Sequence, residues 1–308
     1  MNNRFFGLKG IDNKTKFFIR IFNHEFTYNL GQPVLFEFKE DFEKYFAANN
    51  MKEKTENLKT GMDDISKEYV DYFMRLTKYW DNRLLRKIWS KYDYEEIVRY
   101  KKFLENFEQP FPDITIFNPY IIFGEYGLKD LPKNVLENIN GKNIIDIGGF
   151  NGDTAWLFCN MFPDSKIFVY EPLSIHMKNL EKIIKTANLY NRVLPIKKGI
   201  GDKQEQAEIK FVDTETCDIA TLDSEFADSS EEIGLIKMDV EGFESKVING
   251  AINTIKKHKP VLAVAIYHNP QDFFEMKDKI KNINPDYKFI IRRSENINPQ
   301  ADLVLIAY

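Results

Sequence analysis

This 308-residue chain predicts an α/β fold: a parallel sheet covered by helices on both faces, behind an N-terminal region that is mostly helical. Three observations predict it. Short β-rich runs alternate with helical ones from about residue 120 onward. A glycine-rich turn, Gly148 to Gly152, joins one such run to a helix start, and an acid, Glu171, ends the next run. Before all this, Phe36 to Phe107 is rich in charged and aromatic residues and almost free of glycine and proline.

In chain order, residues 1–35 leave two readings open. Phe17, Ile19 and Ile21 alternate with polar or apolar neighbours, which suits a strand or a helix. Tyr69, Phe73, Leu76, Trp80, Leu84, Ile88 and Trp89 then recur mostly at three- and four-residue steps, the spacing of an amphipathic helix. Ile97, Tyr100, Phe103 and Leu104 mark a second helix around Tyr94 to Phe107. Such an aromatic stripe is more often core or dimer contact than a ligand box, so dimerisation and acceptor capping are its two expected roles. Pro110, Pro112 and Pro119 punctuate the chain after this helix, and each restricts the residue before it. The boundary falls within residues 109–135, giving a helical region over 1–119 and a second domain over 120–308.

Within that domain the expected strands are Asn143–Ile147, Lys166–Tyr170, Val193–Ile196, Leu235–Val240 and Val261–Tyr267. Two late apolar runs, Tyr287–Ile291 and Ala301–Tyr308, close the sheet at one edge.

Composition narrows the function classes. Hydrophobic residues at 43% and aromatics at 14% supply a sizeable core, which excludes disorder as the general description. A formal net charge of -4, with 43 basic against 47 acidic residues, gives no electrostatic case for nucleic acid or a membrane surface. Cys159 and Cys217 match neither a metal-ligand spacing nor a disulfide framework, so a reducing, cytoplasmic compartment is expected. No stretch approaches the length of a membrane span.

The run NIIDIGGFNGDTAWLF, starting at Asn143, carries the most chemistry. Ile144, Ile145 and Ile147 read as a buried strand with Asp146 near its carboxyl end. Gly148, Gly149 and Gly152 permit a sharp turn and close approach of a ligand, and Asp153-Thr154 opens a helix whose N–H groups face that ligand. By itself the turn could merely join a strand to a helix, and Glu171 could be a solvated strand end. Together, at this spacing, they point to a cofactor that carries ribose, whose hydroxyls an acid at the second strand end accepts. A dinucleotide site needs G-x-G-x-x-G; aligned on Gly149 and Gly152, its first glycine falls on Ile147, and the pattern fails for NAD. Methyltransferases instead carry an acid with glycines two, four and six residues on. Asp146, Gly148 and Gly152 fit, while Phe150 holds the middle place.

With these motifs the chain resembles the FkbM-type methyltransferase family. The resemblance rests on IIDIGGFNGDT from Ile144, VYEP from Val169, ATLDSEF from Ala220 and IKMDVEGFESKVINGA from Ile236. It extends to AIYHNPQDFF from Ala265, FIIRR from Phe289 and YGLKDLP from Tyr126, and so covers roughly residues 120–308. It implies a seven-stranded Rossmann-like class I methyltransferase sheet and S-adenosylmethionine as cofactor. Asp146, Gly148, Gly152 and Asp153 would surround its methionine part, Glu171 its ribose, and the turn from Gly199 through Gly201 and Asp202 its adenine, although a plain surface loop explains that last turn equally well. The family's acceptors are hydroxyls of small molecules and glycans, which points to a sugar hydroxyl in surface-polysaccharide biosynthesis.

On the acceptor side, an alcohol needs a general base or a metal to react. Asp239 and Glu241 in MDVEG, and His268 in IYHNP, lie at strand ends where α/β sheets place ligands. His268 is the expected base, against the plainer reading of a hydrogen-bonded structural histidine. Asp239 and Glu241 with water could hold Mg2+, or simply fix the turn at Gly242. Methylation of a nucleic-acid base is the rival reading, but DVEG stands where such enzymes carry Asn/Asp-Pro-Pro-aromatic, and the acidic stretch from Asp202 to Glu232 repels phosphates. Methylation of another small-molecule hydroxyl, or cofactor binding without turnover in an interaction protein, stays open, as does a homodimer.

Overall fold

The structure, a computed structural model, describes residues 6–11, 14–21, 24–29, 39–77, 91–111, 118–210, 214–294 and 302–308. The ambiguity at the N-terminus resolves as strand: β1 (Phe6–Ile11), β2 (Lys14–Ile21) and β3 (His24–Asn29) form an antiparallel meander. Helices come next as expected, with α1 (Lys39–Ala48), α2 (Met51–Lys59), α3 (Asp64–Thr77) and α4 (Lys91–Leu104). Of the predicted aromatic stripe, Tyr69 and Phe73 are buried on α3, while Trp80, Leu84, Ile88 and Trp89 lie outside the described residues.

Proline marks the entry to the second domain. Asn118 accepts the Tyr120 N–H and Pro119 takes the first turn of α5 (Pro119–Gly124), a placement that loses no hydrogen bond. A 3₁₀ turn (Glu125–Asp130) and α6 (Lys133–Ile139) lead into β4 (Asn143–Ile147). Then come α7 (Asp153–Met161), β5 (Ile167–Tyr170), α8 (Ser174–Thr186), β6 (Val193–Ile196), β7 (Gly199–Ile200), β8 (Glu205–Lys210), β9 (Thr214–Ala220) and α9 (Leu222–Glu225). The chain ends with β10 (Ile233–Met238), α10 (Glu244–Asn249), α11 (Ile252–His258), β11 (Val261–Ala265), α12 (Pro270–Ile283), β12 (Phe289–Arg293) and β13 (Leu303–Ala307).

Seven strands form one sheet in the order β12-β13-β11-β10-β4-β5-β6. Strands β6, β5, β4, β10 and β11 run parallel, and β13 runs antiparallel between β11 and β12. The chain winds outward one way from β4 and the other way from β10. The topological switch point, where ligands of open α/β sheets bind, therefore lies at the carboxyl ends of β4 and β10. Residue alternation divides the core. Ile145, Ile147, Ile236, Met238, Leu262 and Val264 face one layer with Val247, Ile248 and Phe273, while Ile144, Leu235, Ala263 and Val169 face the other with Leu157, Phe158 and Leu180. A smaller sheet, β7-β9-β8, flanks the large one.

The N-terminal helices dock on the β12 edge and on α12. Phe73 stacks on Phe273 with centroids 4.2 Å apart, and Phe42 packs against both. Ser66 of α3 accepts the Ile291 N–H at 2.8 Å, satisfying a backbone donor of the edge strand. Arg292 beside it pairs with Asp63 and with Asp130. Lys277 of α12 donates to the carbonyls of Asn57 and Leu58, each at 2.9 Å, at the end of α2. The described part of the aromatic stripe is thus spent inside the chain. No helix among the described residues is long and apolar enough to cross a membrane.

Candidate active site

The glycine turn lies at the switch point, and its geometry explains each glycine. Gly148 has φ +73°, and a Cβ there would lie 2.0 Å from the Asp239 carbonyl oxygen. At Gly149 a Cβ would meet Val169 at 2.0 Å, and at Gly152, φ +88°, it would meet Leu180 at 2.7 Å. The space a side chain would occupy is therefore filled by this chain's own strands and helix. The sequence pattern alone attributes these glycines to close approach of a ligand; close packing of β4, β5, β10 and α8 is the direct cause. Phe150, in the middle glycine's place, takes φ +44° itself.

Asp146 is wholly buried. One carboxylate oxygen stands 3.1 Å from the Lys237 ammonium and the other accepts the Thr154 hydroxyl at 2.6 Å. Lys237, opposite Asp146 in the β4–β10 register, also donates to the Gly148 carbonyl at 2.8 Å. This buried pair braces the turn from beneath, a role beyond the cofactor contact that the sequence predicts for Asp146. Asp153, at the start of α7, accepts the Thr154 N–H at 2.9 Å. Its burial, only partly offset by Lys237, pushes its pKa up to about 6. Two buried carboxylates thus share one lysine, which leaves excess negative charge behind the turn.

Glu171 ends β5 and is only 4% exposed. One oxygen accepts the Phe150 N–H at 3.0 Å; the other accepts the Leu173 N–H at 2.9 Å and stands 3.3 Å from His176 Nδ1. The oxygen bonded to Phe150 keeps lone-pair capacity for a further donor. The Phe150 ring packs edge-on against His176, with centroids 4.3 Å apart. Glu171 is therefore tied directly to the glycine turn. Gly201 packs against Gly250 at the α10–α11 junction, and Asp202 is exposed. Gly199, the first residue of β7, lies near Pro172.

A second cluster sits at the ends of β10 and β11. His268 is buried, its Nδ1 2.8 Å from Glu244 Oε1, and its Nε2 3.4 Å from both Asp239 Oδ1 and Glu241 Oε2. Asn269 caps α12 by accepting the Asp272 N–H at 2.8 Å, with Pro270 in the first turn, which fixes the backbone just beyond His268. Asp239 also accepts from Tyr126 at 3.2 Å and from Tyr267 at 3.4 Å. Desolvation pulls the His268 pKa down, but the Glu244 hydrogen bond and charge, with Asp239 and Glu241, outweigh it and raise it to about 9. Glu241, at φ +53°, has an 84% exposed side chain and forms the rim. Asp302, heading β13, is pushed up to about 7 by burial and lies in the field of Asp239, Glu241 and His268, with Arg293 opposing the shift.

The structure brings Asp239, Glu241 and His268 together as expected, and adds Lys237, Glu244, Tyr126 and His176, which the sequence reading missed. Lys237 and Glu244 left a signal: a lysine inside the apolar run GLIKM, and a second acid in EGFE.

Residues 146–293 match the family model of the methyltransferase FkbM domain. Among solved structures, methyltransferase FkbM from Methylobacillus flagellatus KT is similar at 19% identity and a TM-score of 0.58, over 87% of this chain and 61% of that one. The chain thus spans about three fifths of that protein's length, and at this identity the likeness bears on the fold, a Rossmann-like class I methyltransferase sheet. Weaker likenesses join it to a putative rRNA-methylase from Clostridium thermocellum (15% identity, TM-score 0.41, 63% of this chain and 96% of that one). Fibrillarin from Aeropyrum pernix, in complex with natively bound S-adenosyl-L-methionine, is similar at 14% identity and a TM-score of 0.41, over 61% of this chain and 73% of that one. No curated protein matches the chain.

Proposed function

Because this chain carries a methyltransferase FkbM domain over residues 146–293, we propose that it transfers the methyl group of S-adenosylmethionine to a hydroxyl oxygen. The observation that carries the cofactor reading is Glu171, held at the end of β5 and bonded to the glycine turn at the sheet's switch point. Bound there, the cofactor supplies a methyl group already activated on a sulfonium. Glu171 would take the ribose hydroxyls, while Gly148, Gly152 and Asp153 would line the methionine end. The excess negative charge of Asp146 and Asp153 over Lys237 favours a cation at that end. Gly201 and Asp202 have less support as adenine contacts, since they face α10 and α12.

The acceptor hydroxyl belongs beside Asp239, Glu241 and His268, at the ends of the neighbouring strands. There the chain's task is alignment of the hydroxyl with the methyl group and management of its proton. A sugar hydroxyl in polysaccharide biosynthesis is the acceptor class we favour, on the family resemblance and on the carboxylates and tyrosines that converge at this end. The same carboxylates disfavour a phosphate-rich nucleic acid. Two buried free cysteines, Cys159 and Cys217, suit a reducing cytoplasm.

Replacing His268 by alanine separates these roles. Once the acceptor is identified by transfer of labelled methyl, kcat should fall about 10²–10⁴-fold, as for a positioned proton-transfer group. Affinity for S-adenosylhomocysteine should hold, because the His268 imidazole is engaged by Glu244, Asp239 and Glu241 at the ends of β10 and β11. A near-normal kcat would return His268 to a structural role.

A further inference from the structure

Glu244 is the residue of the second cluster that neither the sequence reading nor the proposed reaction uses. Its side chain is wholly inaccessible. One oxygen, Oε1, accepts the Val240 N–H at 2.9 Å and contacts His268 Nδ1 at 2.8 Å. The other, Oε2, is buried without a hydrogen-bond partner among the described residues. A buried carboxylate oxygen left in that state is costly unless something positive meets it. One donor atom from each of Asp239, Glu244 and His268 lies within 4.8 Å of the other two.

The spacing around His268 is also informative. Its Nε2 stands 3.4 Å from Asp239 Oδ1 and 3.4 Å from Glu241 Oε2. A good N–H···O bond is shorter, about 2.9–3.0 Å. Donor atoms that share one tetrahedral ion at about 2.0–2.2 Å lie about 3.3–3.6 Å apart. Three carboxylates face a single imidazole here. The Glu244 contact at Nδ1 fixes the ring with Nε2 turned toward Asp239, the arrangement in which a carboxylate orients a metal-binding histidine.

We propose that Asp239 Oδ1 and His268 Nε2 bind a divalent transition-metal cation of the Mn2+ or Zn2+ kind, with Glu241 at its solvent side and Glu244 orienting the imidazole from Nδ1. An imidazole between carboxylates suits those ions, whereas Mg2+ prefers an all-oxygen, largely hydrated octahedron. The site thus departs from the Mg2+ held by Asp239, Glu241 and water that the sequence suggests. It shares its residues with the acceptor site of the proposed function, and its test reads ion binding without methyl transfer.

The test is calorimetric titration of the full chain with Mn2+, Zn2+ and Mg2+, with Mn2+ binding checked by electron paramagnetic resonance. One Mn2+ or Zn2+ per chain is expected, bound at least tenfold more tightly than Mg2+. Asp239→Asn and His268→Gln should each weaken it tenfold or more, and Glu244→Gln likewise. Should a variant fail to fold, the wild-type melting temperature decides, since it must rise with Mn2+ or Zn2+ concentration if the native state binds the ion. No saturable binding to wild type, or equal affinity in folded variants, overturns the proposal. Titration of the same samples with S-adenosylhomocysteine reports on the cofactor site separately, so either reading can fail alone.

Discussion

Lys237 sits in the middle of an otherwise apolar β10, and its ammonium and the Asp146 carboxylate meet at 3.1 Å where neither reaches water. Removing one member leaves the other charged and buried, which typically costs about 3–5 kcal/mol, whereas replacing both by neutral groups of similar size is far milder. Lys237→Met should therefore destabilise strongly in denaturant unfolding, and Asp146→Asn combined with Lys237→Met should recover part of the loss, since Asp153 still lacks its cation. A mild single variant would show that the pair is not the brace of the turn. The sequence made Asp146 legible as a functional acid because it precedes the glycines. It could not show Lys237 opposite, since that depends on the β4–β10 register across most of a hundred residues. Glu244 escaped for a similar reason: its value lies in its contact with His268, which arrives from a different strand end. Phe150 was legible as a departure from the glycine pattern, but its positive φ and its bond to Glu171 needed the fold.

Among elements, β12 is the exposed edge that a seven-stranded sheet must cover, and α3 covers it. Ser66→Ala would leave the buried Ile291 N–H without its acceptor, and the loss should be about 1–3 kcal/mol in unfolding experiments. An unchanged stability would mean that α3 does not serve the edge strand. The large-sheet strands were legible because they are short apolar runs bounded by turns, and every one appears within a few residues of its expected place. The β7-β9-β8 sheet was not. Strand β7 has only two residues, and EQAEIK in β8 alternates too weakly to stand out from a polar loop. Gly199 and Ile200 belong to that missed sheet, and Gly201 after them packs against Gly250.

For the molecule as a whole, the decisive features are the strand order and what it gathers. The switch between β4 and β10 sets Gly148 against Asp239, so the predicted cofactor turn and the predicted acceptor cluster share one edge of the sheet. The alternation of strands and helices made the class of fold legible, but the antiparallel insertion of β13 beside β11 was not, because apolar runs carry no direction. The N-terminal helices were legible as helices, while their docking on β12 and α12 depends on contacts such as Arg292 to Asp63 that no local pattern encodes. The central claim is that the edge at β4 and β5 holds S-adenosylmethionine, and calorimetric titration of the full chain with S-adenosylhomocysteine tests it most directly. The account predicts saturable one-to-one binding, no binding of NAD, and an affinity weakened by roughly 1–3 kcal/mol in a folded Glu171→Ala variant. Absence of binding to the wild-type chain, or an affinity untouched by the loss of Glu171, would contradict it.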